Sequence, residues 1–231
     1  MKADEFLSFT KENGLILSEK QAKQFATYLK FLQAENEKYN LTAIVEEEEI
    51  YEKHFADCLL SSFIKKPSGK YLDIGSGAGF PGIVLKIAYP ELEMDLLEPI
   101  GKRCNFLRQC IELLDLENIN VIQGRGEEYS KQKEEEYDYV SARAVSNLAA
   151  LLEIATRAIK IDGYFVALRG SSGKEDILEA SKATKLLGLE LIEEKEVYLN
   201  ENKRYIAFYQ KKKKTDKKYP RPYNKIKSKP L

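Results

Sequence analysis

The chain has 231 residues, enough for one well-buried core with a small appendage. Its hydrophobic content is 43%, as in globular proteins, and no apolar run approaches the roughly 18 residues that a membrane-spanning helix needs. Formal net charge is zero, yet residues 211–231 hold ten Lys or Arg against one Asp, so a charge of +9 is concentrated there and about −9 is spread over the rest.

The opening residues MKADEFLSF lack the basic start and apolar stretch of a signal peptide, so the expected location is the cytoplasm. Ser18 followed by Gln21 has capping-box form, and Ala22, Phe25, Leu29 and Leu32 recur at helical steps, which predicts an amphipathic helix to about Asn36. A second helical stretch runs through Ile50, Phe55, Leu59 and Leu60. The acidic run Glu46 to Glu49 before it suits the positive end of a helix, and a solvated acidic turn would explain it equally well.

From Lys70 the pattern alternates: strand 70–74, helix 81–89, strand 92–97, helix 102–114, strands 119–123 and 137–141, helix 147–160, strand 163–168 and helix 174–187. Two last strands, 189–199 and 203–210, flank Asn200-Glu201-Asn202 as a hairpin. Such alternation predicts an α/β fold with a mostly parallel sheet covered on both faces, an antiparallel edge hairpin and an N-terminal helical extension. The expected units are the extension at 1–64, a catalytic domain at 65–210 and a basic tail at 211–231. The tail is polar and broken by prolines, so disorder without a partner is expected.

Residues 72–82 read LDIGSGAGFPG: an apolar strand with Asp73, then Gly75, Ser76, Gly77 and Gly79, then Phe80-Pro81 opening a helix. Alternate glycines let the main chain turn tightly and approach a ligand that any Cβ would exclude, and Pro81 at a helix start aims free N–H groups at it. A dinucleotide fingerprint needs a small residue where bulky Phe80 stands, so the spacing suits S-adenosylmethionine better than NAD. A glycine-rich turn without a ligand is the plainer alternative.

Ligands of open α/β sheets sit beyond the carboxyl ends of the strands. There the sequence places Glu98, able to accept both ribose hydroxyls of a cofactor, and Gly124-Arg125-Gly126-Glu127, able to read an adenine edge. It also places Ser141-Ala142-Arg143-Ala144, where Arg143 could touch a cofactor carboxylate, a substrate phosphate or both. The Asn/Asp-Pro-Pro-aromatic motif of amino-group methylation is absent from this last site, and none of Cys58, Cys104 or Cys110 has the proline neighbour usual for a cysteine that attacks pyrimidines. A ring nitrogen such as guanine N7 remains attractive, because it attacks a sulfonium methyl with no proton to remove. With three cysteines outside ligand spacing and His54 as the single histidine, no metal site is expected.

The sequence closely resembles the RsmG (GidB) family of bacterial 16S ribosomal RNA guanine-N7 methyltransferases. The resemblance lies in Tyr39-Asn40-Leu41-Thr42, His54 with Asp57, the glycine loop, Gly101-Lys102-Arg103, Phe106-Leu107-Arg108, Arg125 with Glu127, Arg143 and its neighbours, and Lys217-Lys218-Tyr219-Pro220-Arg221. It implies a class I, Rossmann-like methyltransferase fold with S-adenosylmethionine contacts at Gly75, Phe80, Gly126, Glu127 and Arg143. It also implies action on a guanine near the decoding centre of the small ribosomal subunit. Cys58, Arg169 and Pro222-Tyr223-Asn224-Lys225 depart from the family pattern, which usually has Ser, Lys and a glycine-containing stretch at these places.

No residue is assigned as the catalyst; the candidates are Arg143, His54 and Asn40, with a structural hydrogen-bond pair between His54 and Asp57 as the alternative for the histidine. Lys102 and Arg103 open a helix against its dipole and, with Arg169, Lys217, Lys218, Tyr219 and Arg221, are candidates for RNA contact. A monomer is expected. Two rivals stay open: a nicotinamide oxidoreductase, disfavoured by Phe80, and an RNA-binding assembly protein that keeps the fold without turnover.

Overall fold

In the computed structural model, which describes residues 1–143 and 147–231, the apolar stretches form β1 Lys70–Ile74, β2 Glu93–Glu98, β3 Ile119–Gln123, β4 Tyr137–Ala142 and β5 Ile159–Arg169. These five run parallel, and β6 Leu189–Leu199 with β7 Asn202–Lys211 completes the order β3-β2-β1-β4-β5-β7-β6. β7 is antiparallel to both β5 and β6, so it enters the sheet between them and leaves β6 as the edge. The chain order reverses between β1 and β4, and a crevice therefore opens over the carboxyl ends of these two strands.

Both faces of the sheet are covered, which is why Tyr71–Ile74 and Met94–Glu98 are buried without alternation. One apolar cluster joins Ile83, Leu96 and Phe106 to Phe6, Phe25, Tyr28 and Phe55 of the N-terminal helices α1 Ala3–Glu12, α2 Glu19–Tyr39, α3 Glu47–Ile50 and α4 Asp57–Ile64 and the π-helical turn Tyr51–Ala56 that joins the last two. The extension thus shares its core with the sheet. The second cluster places Leu72, Val140 and Phe165 against Leu152 and Ala155 of α8 Leu148–Ala155 and Leu187 beyond α10 Ser181–Leu186. The remaining helices are α5 Gly82–Ala88, α6 Gly101–Leu113, α7 Gly126–Gln132, α9 Gly173–Glu179 and α11 Tyr223–Ser228.

Several boundaries differ from expectation. The capping box of α2 forms, with the Ser18 N–H donating to Gln21 Oε1 at 2.8 Å, but the helix continues to Tyr39 and ends at Asn40 in a left-handed conformation with φ 51°. β5 starts at Ile159 instead of 163, because Ile159 pairs with Tyr137 and a bulge follows. Gly163 accommodates the close approach there: a Cβ would lie 2.9 Å from the Asp138 carbonyl. The stretch expected as one helix over 174–187 is split at Ala180 into α9 and α10.

The tail is folded, contrary to the expected disorder. Lys211 ends β7 with its ammonium enclosed, donating to the Ile159 carbonyl at 2.9 Å, and Thr215, Tyr219 and Ile226 are buried. Arg221 grips Glu153 of α8 through Nε at 2.8 Å, Nη2 at 2.7 Å and its main-chain N–H at 2.8 Å, and Glu153 has no exposed surface. A few anchors and one buried ion pair hold a segment whose average composition reads as solvated. No helix among the described residues is long and apolar enough to cross a membrane, and no group of three His, Cys, Asp or Glu among them could hold a metal ion.

Removing one partner of a buried ion pair strands the other charge, at a cost of about 3–5 kcal/mol. Arg221→Ala is therefore expected to lower stability by about that amount in urea unfolding, whereas Lys227→Ala, at an exposed position of α11, changes it by less than about 0.5 kcal/mol.

Candidate active site

Beyond β1 the glycine loop turns through positive φ at Gly75 (73°), Gly77 (57°) and Gly79 (96°), conformations that other L residues resist. A Cβ at Gly75 would meet nothing within 4 Å, so the main chain there borders open space. At Gly79 a Cβ would lie 2.6 Å from Ile83 and 2.7 Å from the Tyr28 hydroxyl, so this glycine serves packing against α2. Tyr28 also donates to the Ala78 carbonyl at 2.5 Å, fixing the loop to the N-terminal extension.

Asp73, expected at the cofactor, is fully enclosed beneath the loop. Its Oδ2 accepts from the Gly82 N–H at 3.1 Å and its Oδ1 from the Ser141 hydroxyl at 3.1 Å, while burial pushes its carboxyl up to about 6. Ser76 is buried as well and donates to the Asp73 carbonyl at 3.0 Å. Pro81 stands one position before the helix, and the N–H groups of Gly82 and Ile83 are engaged by Asp73 and the Gly79 carbonyl. The expectation of helix-start donors aimed at a ligand is corrected accordingly.

At the end of β2, Glu98 is buried and reaches back under the loop. Its Oε2 accepts from the Gly77 N–H and its Oε1 from the Ile100 N–H, both at 2.9 Å, which orients the carboxylate beside the crevice. After β3, Gly126 opens α7 where a Cβ would come within 2.6 Å of Ile154, and buried Glu127 follows. Arg125 lies over the Tyr223 ring at 5.6 Å, so the folded tail abuts this third strand end.

After β4, Arg143 ties the sheet to the extension. Its Nη2 donates to the Lys53 carbonyl at 2.7 Å and pairs with Asp57 at 3.2 Å, its Nη1 lies 3.2 Å from Cys58 Sγ, and its guanidinium stands 5.6 Å over the Phe80 ring. The Phe80 ring in turn stacks on His54 with centroids 4.3 Å apart. Ala144, named with Arg143 in the sequence motif, lies outside the described residues.

The expected pairing of His54 with Asp57 is not formed. The π-helical turn re-registers positions that would share an α-helical face, so His54 Nε2 shares a 2.8 Å hydrogen bond with Thr42 Oγ1 while Asp57 meets Arg143 and, at 2.5 Å, Arg204 Nε. Asn40 supports that contact indirectly, as the left-handed residue that turns the chain from α2 into Leu41-Thr42, whose N–H groups are held by the Asn36 side chain at 2.7 and 2.9 Å. Burial, aided by the Arg143 charge, pulls His54 down to about 3.

Of the candidates for RNA contact, Lys102, Lys217 and Lys218 are exposed, and Arg103 is half-buried in the first turn of α6. Arg169 pairs with Asp176 at 2.6 Å, Tyr219 is buried and Arg221 is held by Glu153, so these three are built into the fold. Arg204 carried no sequence signal. It sits in an edge hairpin, and only the register of β5 with β7 brings it to the site.

The reversal of strand order at β1/β4, the glycine loop over it and the acid closing β2 define a Rossmann-like methyltransferase fold. In agreement, the crystal structure of M. jannaschii TYW2 in complex with AdoMet superposes over 73% of this chain and 79% of that one, with a TM-score of 0.58 at 14% identity. Residues 21–206 match the family model described as GidB, rRNA small subunit methyltransferase G. A Streptococcus pneumoniae protein named ribosomal RNA small subunit methyltransferase G is 40% identical over the full length of both chains, and a Lactococcus lactis protein of the same name is 42% identical over 96% of this chain and 95% of its own. The chain belongs to the rRNA small subunit methyltransferase G family. Membership sets aside the nicotinamide reading.

His54 is the single histidine, so its ring gives one resolvable set of proton resonances. With a folded pKa of about 3 against about 6.5 unfolded, the unfolded chain binds the extra proton between those values, so this group's contribution to stability is lost as pH falls through that window. The C2 proton is expected to keep the neutral-imidazole shift throughout pH 5–8; a midpoint near 6.5 would contradict the enclosure.

Proposed function

We propose that the chain transfers the methyl group of S-adenosylmethionine to N7 of a guanine in 16S ribosomal RNA, near the decoding centre of the small subunit. The residues fit the cofactor: the main chain at Gly75 borders open space that a side chain would enter, and Glu98 is pinned by two N–H donors with a lone pair remaining on each oxygen for the ribose hydroxyls. Gly77, Phe80, Gly126, Glu127 and Arg143 follow the ends of β1, β3 and β4 and would hold the remainder. The bound cofactor supplies an electrophilic methyl on a sulfonium.

The single observation that carries the choice of N7 is that, among the described residues flanking Phe80, no group is poised to remove a proton. His54 has Nε2 on Thr42 and a pKa pulled down to about 3 by burial, which makes its ring a weak base, Asp57 is shared by two guanidiniums, and Asp73 is enclosed. N7 needs none. Its lone pair is free to accept a methyl group and no hydrogen leaves the base, so this chain would have no proton to hold or move. What the chain contributes is orientation and exclusion of water by the Phe80, His54 and Tyr28 aromatic wall.

Exposed Lys102, in the first turn of α6 after the end of β2, would neutralise RNA phosphates beside the crevice. Lys217 lies by Arg157, whose Nη1 donates to the Lys217 carbonyl at 3.5 Å near the amino end of β5, so Lys217 and its neighbour Lys218 stand away from the crevice. The reading places a monomeric enzyme in the cytoplasm, where small subunits are made.

Incubating the protein with methyl-labelled S-adenosylmethionine and unmodified small subunits, then digesting the RNA, is expected to give 7-methylguanosine by mass spectrometry; label in any other nucleoside overturns the choice of N7. Glu98→Ala is expected to weaken cofactor binding by about 1.5–3 kcal/mol, roughly 10- to 100-fold in Kd by calorimetry, through lost charge-assisted hydrogen bonds. Native affinity in that variant would remove Glu98 from the site.

A further inference from the structure

A second opening adjoins the crevice. It is a cleft of about 440 Å³ beyond the carboxyl ends of β4 and β5, lined by Arg143, Arg169 and Arg204 with Asp57, Gly170 and Ser171. That volume falls within the about 300–1,000 Å³ of sites that take small ligands or single nucleotides. Three guanidiniums face one carboxylate in the lining, and with Asp176 counted against Arg169 the group keeps one positive charge in excess.

The arrangement leaves donors over. Asp57 takes Nε of Arg204 at 2.5 Å and Nη2 of Arg143 at 3.2 Å, and the Lys203 carbonyl takes Arg204 Nη1 at 3.0 Å. Among the described residues Arg204 Nη2 meets no acceptor, and the side chain is 22% exposed. Asp57 therefore acts as a brace that holds two forks side by side in the lining of the cleft, with Arg204 Nη2 left over as a donor. Gly170 closes one side with a main chain whose Cβ direction meets nothing within 4 Å, so the cleft is roomy at that point. Arg143 belongs to both openings, lining the cleft and standing over Phe80.

Resting on the function proposed above, we propose that this cleft takes the phosphodiester of the target guanosine, gripped by Arg204 and Arg143, so that the attached base reaches past Arg143 toward the glycine loop and the cofactor. Guanidinium forks match phosphate oxygens in a way a lysine point charge does not. A phosphate held one sugar away from the base fixes where the base can stand, which is what a site without a proton-removing group requires.

The test compares Arg204→Ala, Arg204→Lys and Gly170→Asp with the native enzyme on small subunits at several salt concentrations, with cofactor Kd and melting temperature measured on the same preparations. Gly170 is exposed, has ordinary φ and has open space at its Cβ, so Gly170→Asp adds a repelling carboxylate at no expected expense to the fold. Arg204→Ala and Gly170→Asp are expected to raise KM for subunits at least tenfold with cofactor Kd unchanged, and Arg204→Lys to fall between. Arg204→Ala is also expected to flatten the slope of log KM against log salt by about 0.7, one phosphate's worth of released counterion on a single strand. Guanosine 5′-monophosphate is expected to inhibit the native enzyme where guanosine and inorganic phosphate do not.

Unchanged KM and salt slope in Arg204→Ala and Gly170→Asp overturn the assignment, as does a rise in cofactor Kd alone, which would give the cleft to the cofactor. Equal inhibition by guanosine and its monophosphate also overturns it. Failure of the functional reading looks different: the native enzyme would label no guanine N7, whatever the variants did to KM.

Discussion

The site depends on one enclosed carboxylate. Asp73 lies at the point where the strand order reverses, in register with Leu96 on one side and Ser141 on the other, and its two oxygens take the Ser141 hydroxyl and the first N–H of α5. It joins β1, β4 and α5 beneath a loop that has three glycines at positive φ and is held by short turn bonds from the Gly79 and Phe80 N–H groups to the Ser76 carbonyl. Burial disfavours its charge, and those donors together with Arg143 favour it. The crevice is open because the chain beneath it is held by groups that never reach it.

From that point the walls follow. Tyr28 fastens the loop to α2, Phe80 is pressed between His54 and the Arg143 guanidinium, and Arg143 is fastened to the π-helical turn. The first 64 residues therefore supply Tyr28 and His54 to the surroundings of Phe80 and share their apolar cluster with the sheet. A wall of aromatic rings and braced guanidiniums is good at placing a flat, electron-rich base and poor at taking up protons. That bias, set by burial, agrees with the proposed transfer to N7, which takes no hydrogen from the base.

The sheet was legible in the sequence because parallel strands buried on both faces leave continuous apolar runs: 70–74 and 119–123 coincide with β1 and β3, and the Asn200-Glu201-Asn202 hairpin lies where β6 turns into β7. The glycine loop was legible because positive φ leaves few residue choices. What escaped depends on contacts far apart in sequence. Asp73 reads as a ligand-facing acid until Ser141 closes over it, and His54 with Asp57 reads as a pair until a π-helical turn separates them. Arg204 meets Asp57 across 147 residues, with no local pattern to announce it. Composition misread the tail for a related reason: averaging over many lysines hides the four or five side chains that anchor it.

The grip of Arg221 on Glu153 also has a bearing on how the chain is made. The two residues are 68 positions apart, and Glu153 lies in an α8 helix otherwise packed into apolar surroundings. At a synthesis rate of about 5–20 residues per second, the carboxylate exists for roughly 3–14 seconds before its partner has been added. During that interval Glu153 lacks the partner that it has in the folded chain, and burying an unpaired carboxylate is costly, so close packing of α8, with Ile154 against Gly126, is favoured only once Arg221 is present. The packing of a helix beside the crevice is thereby tied to a residue that lies outside it.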